Sequence, residues 1–117
     1  MVDSPLLIKS KAFALEIIRV CNEIKRSQRE SILTNQLLRS GTSIGANIRE
    51  ANYAQSKADF LSKLRIALKE CYETEYWLEL FVKAGIIDQE RVKKLLHDCG
   101  ELRRMLVSSV TTLKGNA

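Results

Sequence analysis

The sequence predicts an all-α fold, an antiparallel up-down-up-down four-helix bundle with left-handed packing, and three observations predict it. Apolar residues recur at alternating spacings of three and four along four long segments. Short turn-forming stretches part those segments, which favours antiparallel neighbours crossing at about 20°. Aromatics at 6%, five Gly and a single Pro are too few for the strands and turns of a sandwich or barrel. The 117 residues read as one domain, 1–117, large enough to bury a core without disulfides or a structural metal.

The first helix opens at Ser4-Pro5, an N-cap with proline at the first helical position, where its missing N–H costs nothing. Leu6, Phe13, Ile17, Val20 and Ile24 make one buried stripe running to about Arg26, and Ser27-Gln28-Arg29-Glu30 is the turn. The second helix begins near Ser31 and turns Leu33, Leu37, Ser40, Ile44, Ile48 and Ala51 inward. Its small residues Ser40, Gly41, Ser43, Gly45 and Ala46 weaken it, each Gly by roughly 1 kcal/mol. Either a neighbouring helix approaches there more closely than the usual separation of about 8 to 10 Å, or the helix is weak or broken at Gly41.

Ser56-x-x-Asp59 has capping-box spacing, with Asp for the usual Glu or Gln, and starts the third helix after a turn near Gln55. Phe60, Leu64, Ala67, Cys71, Thr74, Leu78 and Phe81 then keep a coiled-coil-like seam through to Ala84, a helix about 40 Å long. Gly85 supplies its C-terminal cap and Asp88 the next N-cap. Val92, Leu95, Cys99, Leu102, Leu106, Ser109 and Leu113 form the last inward stripe, after which Gly115-Asn116-Ala117 is expected to fray. Cys21, Cys71 and Cys99 fall on inward positions without a C-x-x-C pair, so they read as free thiols acting as small hydrophobes.

Catalytic constellations are hard to build from these residues. His97 is the only histidine, and Lys94, not Glu, precedes it by three, so a di-metal carboxylate site cannot form. A nucleophile would lack a base within reach. Gly41-Thr42-Ser43-Ile44-Gly45 has the glycines of a phosphate loop without the following Lys or a preceding strand. No enzyme activity and no cofactor are expected. No apolar run reaches the roughly 18 residues of a membrane span, and the N-terminus lacks the basic flank and apolar stretch of a signal peptide. A cytoplasmic location without a membrane partner is the expectation.

The polar residues divide into two sets. Asn47 and Glu50 lie beside the inward stripe of the second helix, while Glu70, Glu73, Glu75 and Glu79 crowd the third. Some must point inward, where they need partners. They read as a register-fixing network or as a binding site. The net charge of +5 is uneven: residues 1–69 carry 12 basic and 6 acidic side chains. Lys25-Arg26-Arg29, then Arg39 and Arg49, then Lys57, Lys63, Arg65 and Lys69 form a candidate stripe for a phosphate backbone, or an ordinary solvated surface. Tyr53 is the one aromatic read as interleaved with it, so the stripe suggests shape- and charge-driven contact with structured nucleic acid rather than base stacking.

The segment LLRSGTSIGANIREA ending at Ala51, with its S-I-x-x-N-I-x-E-A core, and the downstream K-E-x-x-E-T-E-Y-W-L from Lys69 to Leu78 carry a resemblance. The chain resembles the proteins encoded by intervening sequences in bacterial 23S ribosomal RNA genes, also called S23 ribosomal proteins. That resemblance implies a left-handed bundle without known enzymatic activity, assembled as a homo-oligomer, a ring of five. It also implies that Ser43, Asn47, Glu50, Glu73 and Glu75, which match the family pattern, are structural or interface positions. Related bundles serve reverse transcriptases of retroelements as basic, nucleic-acid-binding accessory proteins. The expected function is a non-catalytic, oligomeric bundle binding structured RNA such as rRNA, or another nucleic acid, through its basic residues. The alternative is a protein-interaction scaffold, such as a reverse-transcriptase accessory.

Overall fold

The computed structural model describes residues 4–115, with side chains through Leu113. Four helices account for the regular structure of these residues: α1 Pro5–Gln28, α2 Ile32–Ala51, α3 Lys57–Lys83 and α4 Gln89–Gly115. They form a slender four-helix bundle of 47 × 21 × 20 Å. Each helix packs on the next, and α4 closes back on α1 through a thinner contact. Across α1 and α2 the pairing sets rising against falling residue numbers, Cys21 with Thr34, Ile17 with Gly41, Ser10 with Gly45.

The helix ends follow from local hydrogen bonding. Ser4 Oγ accepts from the Leu7 N–H at 3.2 Å, with Pro5 in the first turn, as expected of an N-cap followed by proline. α1 runs two residues past Arg26 to Gln28 and stops at Arg29, which adopts a left-handed φ of 55° and donates its N–H to Lys25 O. α2 starts after Ser31, but the Ser31 side chain makes no cap bond. Glu30 does that work: its carboxylate accepts from the N–H groups of Leu33 and Thr34 and from the Thr34 hydroxyl. Ser56 Oγ caps α3 through the Asp59 N–H, while Asp59 reaches back to the N–H of Gln55, one residue before the cap. At the other end Gly85, at φ 75°, donates to Val82 O, and Ile86 donates to Phe81 O. That pair of bonds is the Schellman arrangement. Asp88 caps α4 through Glu90 and Arg91, and α4 continues to Gly115, the first residue of the stretch expected to fray; Asn116 and Ala117 lie outside the described residues.

The core holds the stripes read from the spacing, with one substitution in register. Leu33 is 40% exposed and Thr34 is buried in its place. The Glu30 cap fixes the first turn so that the Thr34 hydroxyl turns inward against Glu30, and Leu33 is rotated out. Leu6, Phe60, Ser109 and Leu113, at the ends of their stripes, are half-buried. Ser40 and Thr74 meet in the centre, where the Thr74 hydroxyl donates to Ser40 Oγ at 2.9 Å or to Glu70 O at 2.7 Å and the Ser40 hydroxyl donates to Leu37 O. All three cysteines are buried as reduced thiols. Burial pushes Cys21 up to about 11, and hydrogen bonding to Cys71 together with burial raises Cys99 as well, so neither is a ready nucleophile.

The small residues of α2 serve close approach. A Cβ placed on Gly41 would sit 2.9 Å from both Ile17 Cγ1 and Ile17 Cγ2, and one on Gly45 would sit 3.3 Å from Ser10 Oγ. Helix α2 runs unbroken through both glycines. Ile17 is β-branched and fully buried, so it cannot swing away from an added methyl. Gly41→Ala is therefore expected to lose about 1 to 3 kcal/mol by overpacking, outweighing the roughly 1 kcal/mol gained in helix propensity. Gly45→Ala, whose nearest contact is the Ser10 hydroxyl at 3.3 Å with ordinary contacts of 3.5 Å behind it, should cost less than Gly41→Ala. Melting of the two variants side by side checks the contrast.

Candidate nucleic-acid interface

Glu73, Thr74 and Glu75 are consecutive on α3, and the 100° turn between residues sends them three ways. Thr74 points into the core toward Ser40. Glu73 turns to α2, where the Arg39 guanidinium contacts it and also reaches Glu70 at 3.2 Å. Glu75 turns to α4, where Arg103 Nε donates to both of its oxygens at 3.1 and 3.2 Å. Trp77 adds its indole N–H to Glu73 at 3.0 Å. Nearer the α2–α3 turn, Lys63 pairs with Glu50 at 3.0 Å. The Trp77 N–H and the Arg39 guanidinium hold the Glu73 carboxyl below the usual range. Burial pushes Glu70 up, and Arg39 opposes that only in part.

Of the positions implied by the resemblance, three reach across to a neighbouring helix and two bond within α2. Ser43 donates its hydroxyl to Arg39 O, and Asn47 donates its amide to Ser43 O, both half-buried. Glu50, Glu73 and Glu75 each hold a cation from a neighbouring helix. Among the described residues, no cluster of three His, Cys, Asp or Glu side chains could hold a metal ion, and His97 lies exposed on α4.

The cations read as one stripe are placed in three different settings. Arg39 and Lys63 are engaged across the α2–α3 seam. Arg26 and Arg29 are exposed, with Lys25 half-buried beside them, at the α1–α2 turn. Arg49, Lys57 and Arg65 are exposed near the α2–α3 turn, with Lys69 one turn further along α3. Arg29 and Arg49 stand about 30 Å apart along α2. Lys25, Arg26, Arg29, Arg49, Arg65 and Lys69 have no ion pair within the described residues.

Two further surfaces emerge that the sequence reading missed. Tyr72 and Tyr76 are 53% and 54% exposed on the α3 face that carries Arg65 and Lys69, so Tyr53 is not the only aromatic among the cations. Their 65-69-72-76 spacing was the available signal, obscured because Tyr72 and Tyr76 lie within a run of glutamates. An open groove of about 640 Å³ also runs between α1 and α2, lined by Ile8, Ala12, Leu15, Ala46 and Tyr53, with Lys11 and Arg49 at its rim.

Among the described residues, three carboxyls sit below their unfolded value near 4.5 and so bear on acid stability: Glu23, held by Arg91; Glu30, held by the Thr34 hydroxyl; and Glu73. A carboxyl lowered on folding contributes stability that is present above its unfolded value and lost as the pH falls through the folded one. Glu70, raised on folding, works in the opposite direction. The thermal midpoint is expected to fall as the pH drops below about 4.5. Glu30→Gln should flatten that decline and Glu70→Gln should steepen it, as followed by circular dichroism melts across the carboxylate range.

Comparison with known proteins places this arrangement. No curated protein matches the chain. Among solved structures, a protein of unknown function from the S23 ribosomal protein family of Bacteroides thetaiotaomicron is similar to it, at 47% identity over 90% of this chain and 97% of the other, with a TM-score of 0.88. The model of the 23S rRNA-intervening sequence protein family matches residues 3–108. With the helical seams, the glutamate pattern and that match in agreement, the chain belongs to the 23S rRNA-intervening sequence protein family.

Proposed function

We propose that this protein is a non-catalytic, oligomeric bundle that binds RNA or another nucleic acid through exposed basic side chains. One observation carries the reading: among the described residues nearly every carboxylate has a partner within the chain, while several exposed cations at the turns and on α3 have none. Glu16, Glu23, Glu50, Glu70, Glu73, Glu75, Asp98 and Glu101 are in ion pairs, and Glu30, Asp59 and Asp88 cap helices. Among the described residues, Glu79 and Glu90 are the carboxylates left without such a role, against unpaired cations at both ends of the bundle. A surface of that kind displaces counterions from a phosphate backbone. The family description, which names 23S rRNA, supports an RNA as the polyanion.

Self-association is the second element of the proposal. The α1–α2 groove exposes Ile8 by 57% and Leu15 by 46%, side chains that gain from being covered. The same groove favours the rival reading, a scaffold docking another protein such as a reverse transcriptase.

Binding to fluorescently labelled 23S rRNA fragments over a salt series tests the proposal. Affinity is expected to fall steeply with salt, and Arg49→Glu with Arg65→Glu should weaken binding about tenfold or more and reduce the salt slope by about two. Lys63→Gln, which removes a cation already held by Glu50, should change it far less. Salt-insensitive or absent binding overturns the nucleic-acid reading in favour of the scaffold. Light scattering is expected to give a multiple of the 13.3 kDa chain, a ring of five on the family resemblance, and a monomer overturns that part.

A further inference from the structure

Helix α3 carries a second kind of surface that the charge argument does not need. Arg65, Lys69, Tyr72, Tyr76 and Lys83 follow one another at helical spacings of four, three, four and seven, so they share one face. All five are exposed. The three cations have no ion pair within the described residues.

Both tyrosines are held in place from one side. The Arg103 guanidinium lies 5.8 Å from the centre of the Tyr72 ring, and Arg103 is itself fixed by Glu75. Tyr76 meets Trp77 edge to face with ring centres 5.3 Å apart, and Trp77 is tied to Glu73. Each ring is thus anchored through the seams while about half of it stays in water. Rigid, half-exposed rings pay little ordering entropy when a flat partner covers them.

We propose that this face of α3 binds single-stranded nucleic acid, with bases stacking on Tyr72 and Tyr76 and phosphates held by Arg65, Lys69 and Lys83. The two tyrosines stand about 6 Å apart along the helix, a step that suits successive bases of an extended strand better than the roughly 3.4 Å of a stacked duplex. In a duplex the base faces are covered by their neighbours, and the tyrosines would have nothing to stack on. The lysines also set this face apart from a contact between protein chains, since lysine is depleted from the cores of such interfaces. Glu79, at i+3 from Tyr76, is the unpaired carboxylate beside the stripe and opposes binding.

The inference rests on the nucleic-acid reading above and narrows it to a strand state. The test uses the full chain and two labelled probes of equal length, an oligouridylate and an RNA duplex, at one salt concentration. Tyr72→Ala and Tyr76→Ala are each expected to weaken oligouridylate binding about tenfold, leaving duplex binding and the salt slope unchanged. Tyr76→Phe should retain affinity, Glu79→Gln should raise it, and Trp77 fluorescence should change on binding. Wild-type protein that binds duplex but not oligouridylate overturns the inference and leaves the broader reading standing. Absence of binding to either probe overturns both. Circular dichroism and light scattering accompany each variant: alanine variants that stay folded and assembled yet bind oligouridylate like the wild type overturn the inference, as do variants that lose assembly, which would mark the tyrosines as contacts between copies.

Discussion

The clamp around residues 73 to 75 of α3 is the constraint on which the rest of the bundle depends. Three neighbouring side chains fasten one helix to α2, to the core and to α4 in turn. None of these contacts is worth much alone. Arg39 is 48% exposed, and a pair at that exposure contributes about 0 to 1 kcal/mol. The apolar stripes supply the stability, but a stripe with spacing of three and four tolerates a slip of one heptad along the partner helix. Fixed polar partners at one level do not. The clamp therefore selects a single register for hydrophobic faces that would otherwise accept several.

Selecting register in this way has an electrostatic consequence. Each carboxylate tied across a seam is neutralised by a cation of the neighbouring helix, so the charge left without a partner lies away from the seams. Arg39, Lys63 and Arg103 are consumed, while Arg26, Arg29, Arg49, Arg65 and Lys69 remain outside. Each pair removes charge of both signs, so the net charge of +5 is kept and rests on the cations left unpaired at the turns and along α3. The field of such a surface acts on polyanions over about a Debye length, roughly 8 Å at physiological salt.

The sequence made the bundle legible because its information is periodic. Stripes such as Leu64, Ala67, Cys71, Thr74, Leu78 and Phe81 declare a buried face without reference to any other helix. Caps are local too, so Ser4, Ser56, Gly85 and Asp88 could be read directly. What failed depended on partners distant in the chain or on competition at one turn. Arg39 and Lys63 look like surface cations until α3 and α2 bring Glu70, Glu73 and Glu50 against them. Leu33 fits its stripe by spacing, yet Glu30 binds the Thr34 hydroxyl and rotates the first turn. The tyrosines of α3 were hidden for a related reason: Glu73 and Glu75 leave that outer face for the seams, and sequence order does not show their departure.

The division of surfaces bears on how assembly and binding would coexist. The apolar groove belongs to α1 and α2, whereas the cationic and aromatic stripe belongs to α3, which does not pack on α1. Copies joined through the groove, with a face other than that of α3 seated in it, would leave each α3 face open. In a closed assembly the stripes would then repeat at a fixed spacing, and a strand held by one would be presented to the next at high effective concentration. Weak individual contacts, of the size expected for two stacked bases and a few exposed cations, would suffice for firm retention. A monomer with the same stripe would release the strand readily, so on this reading the apolar groove governs affinity through assembly.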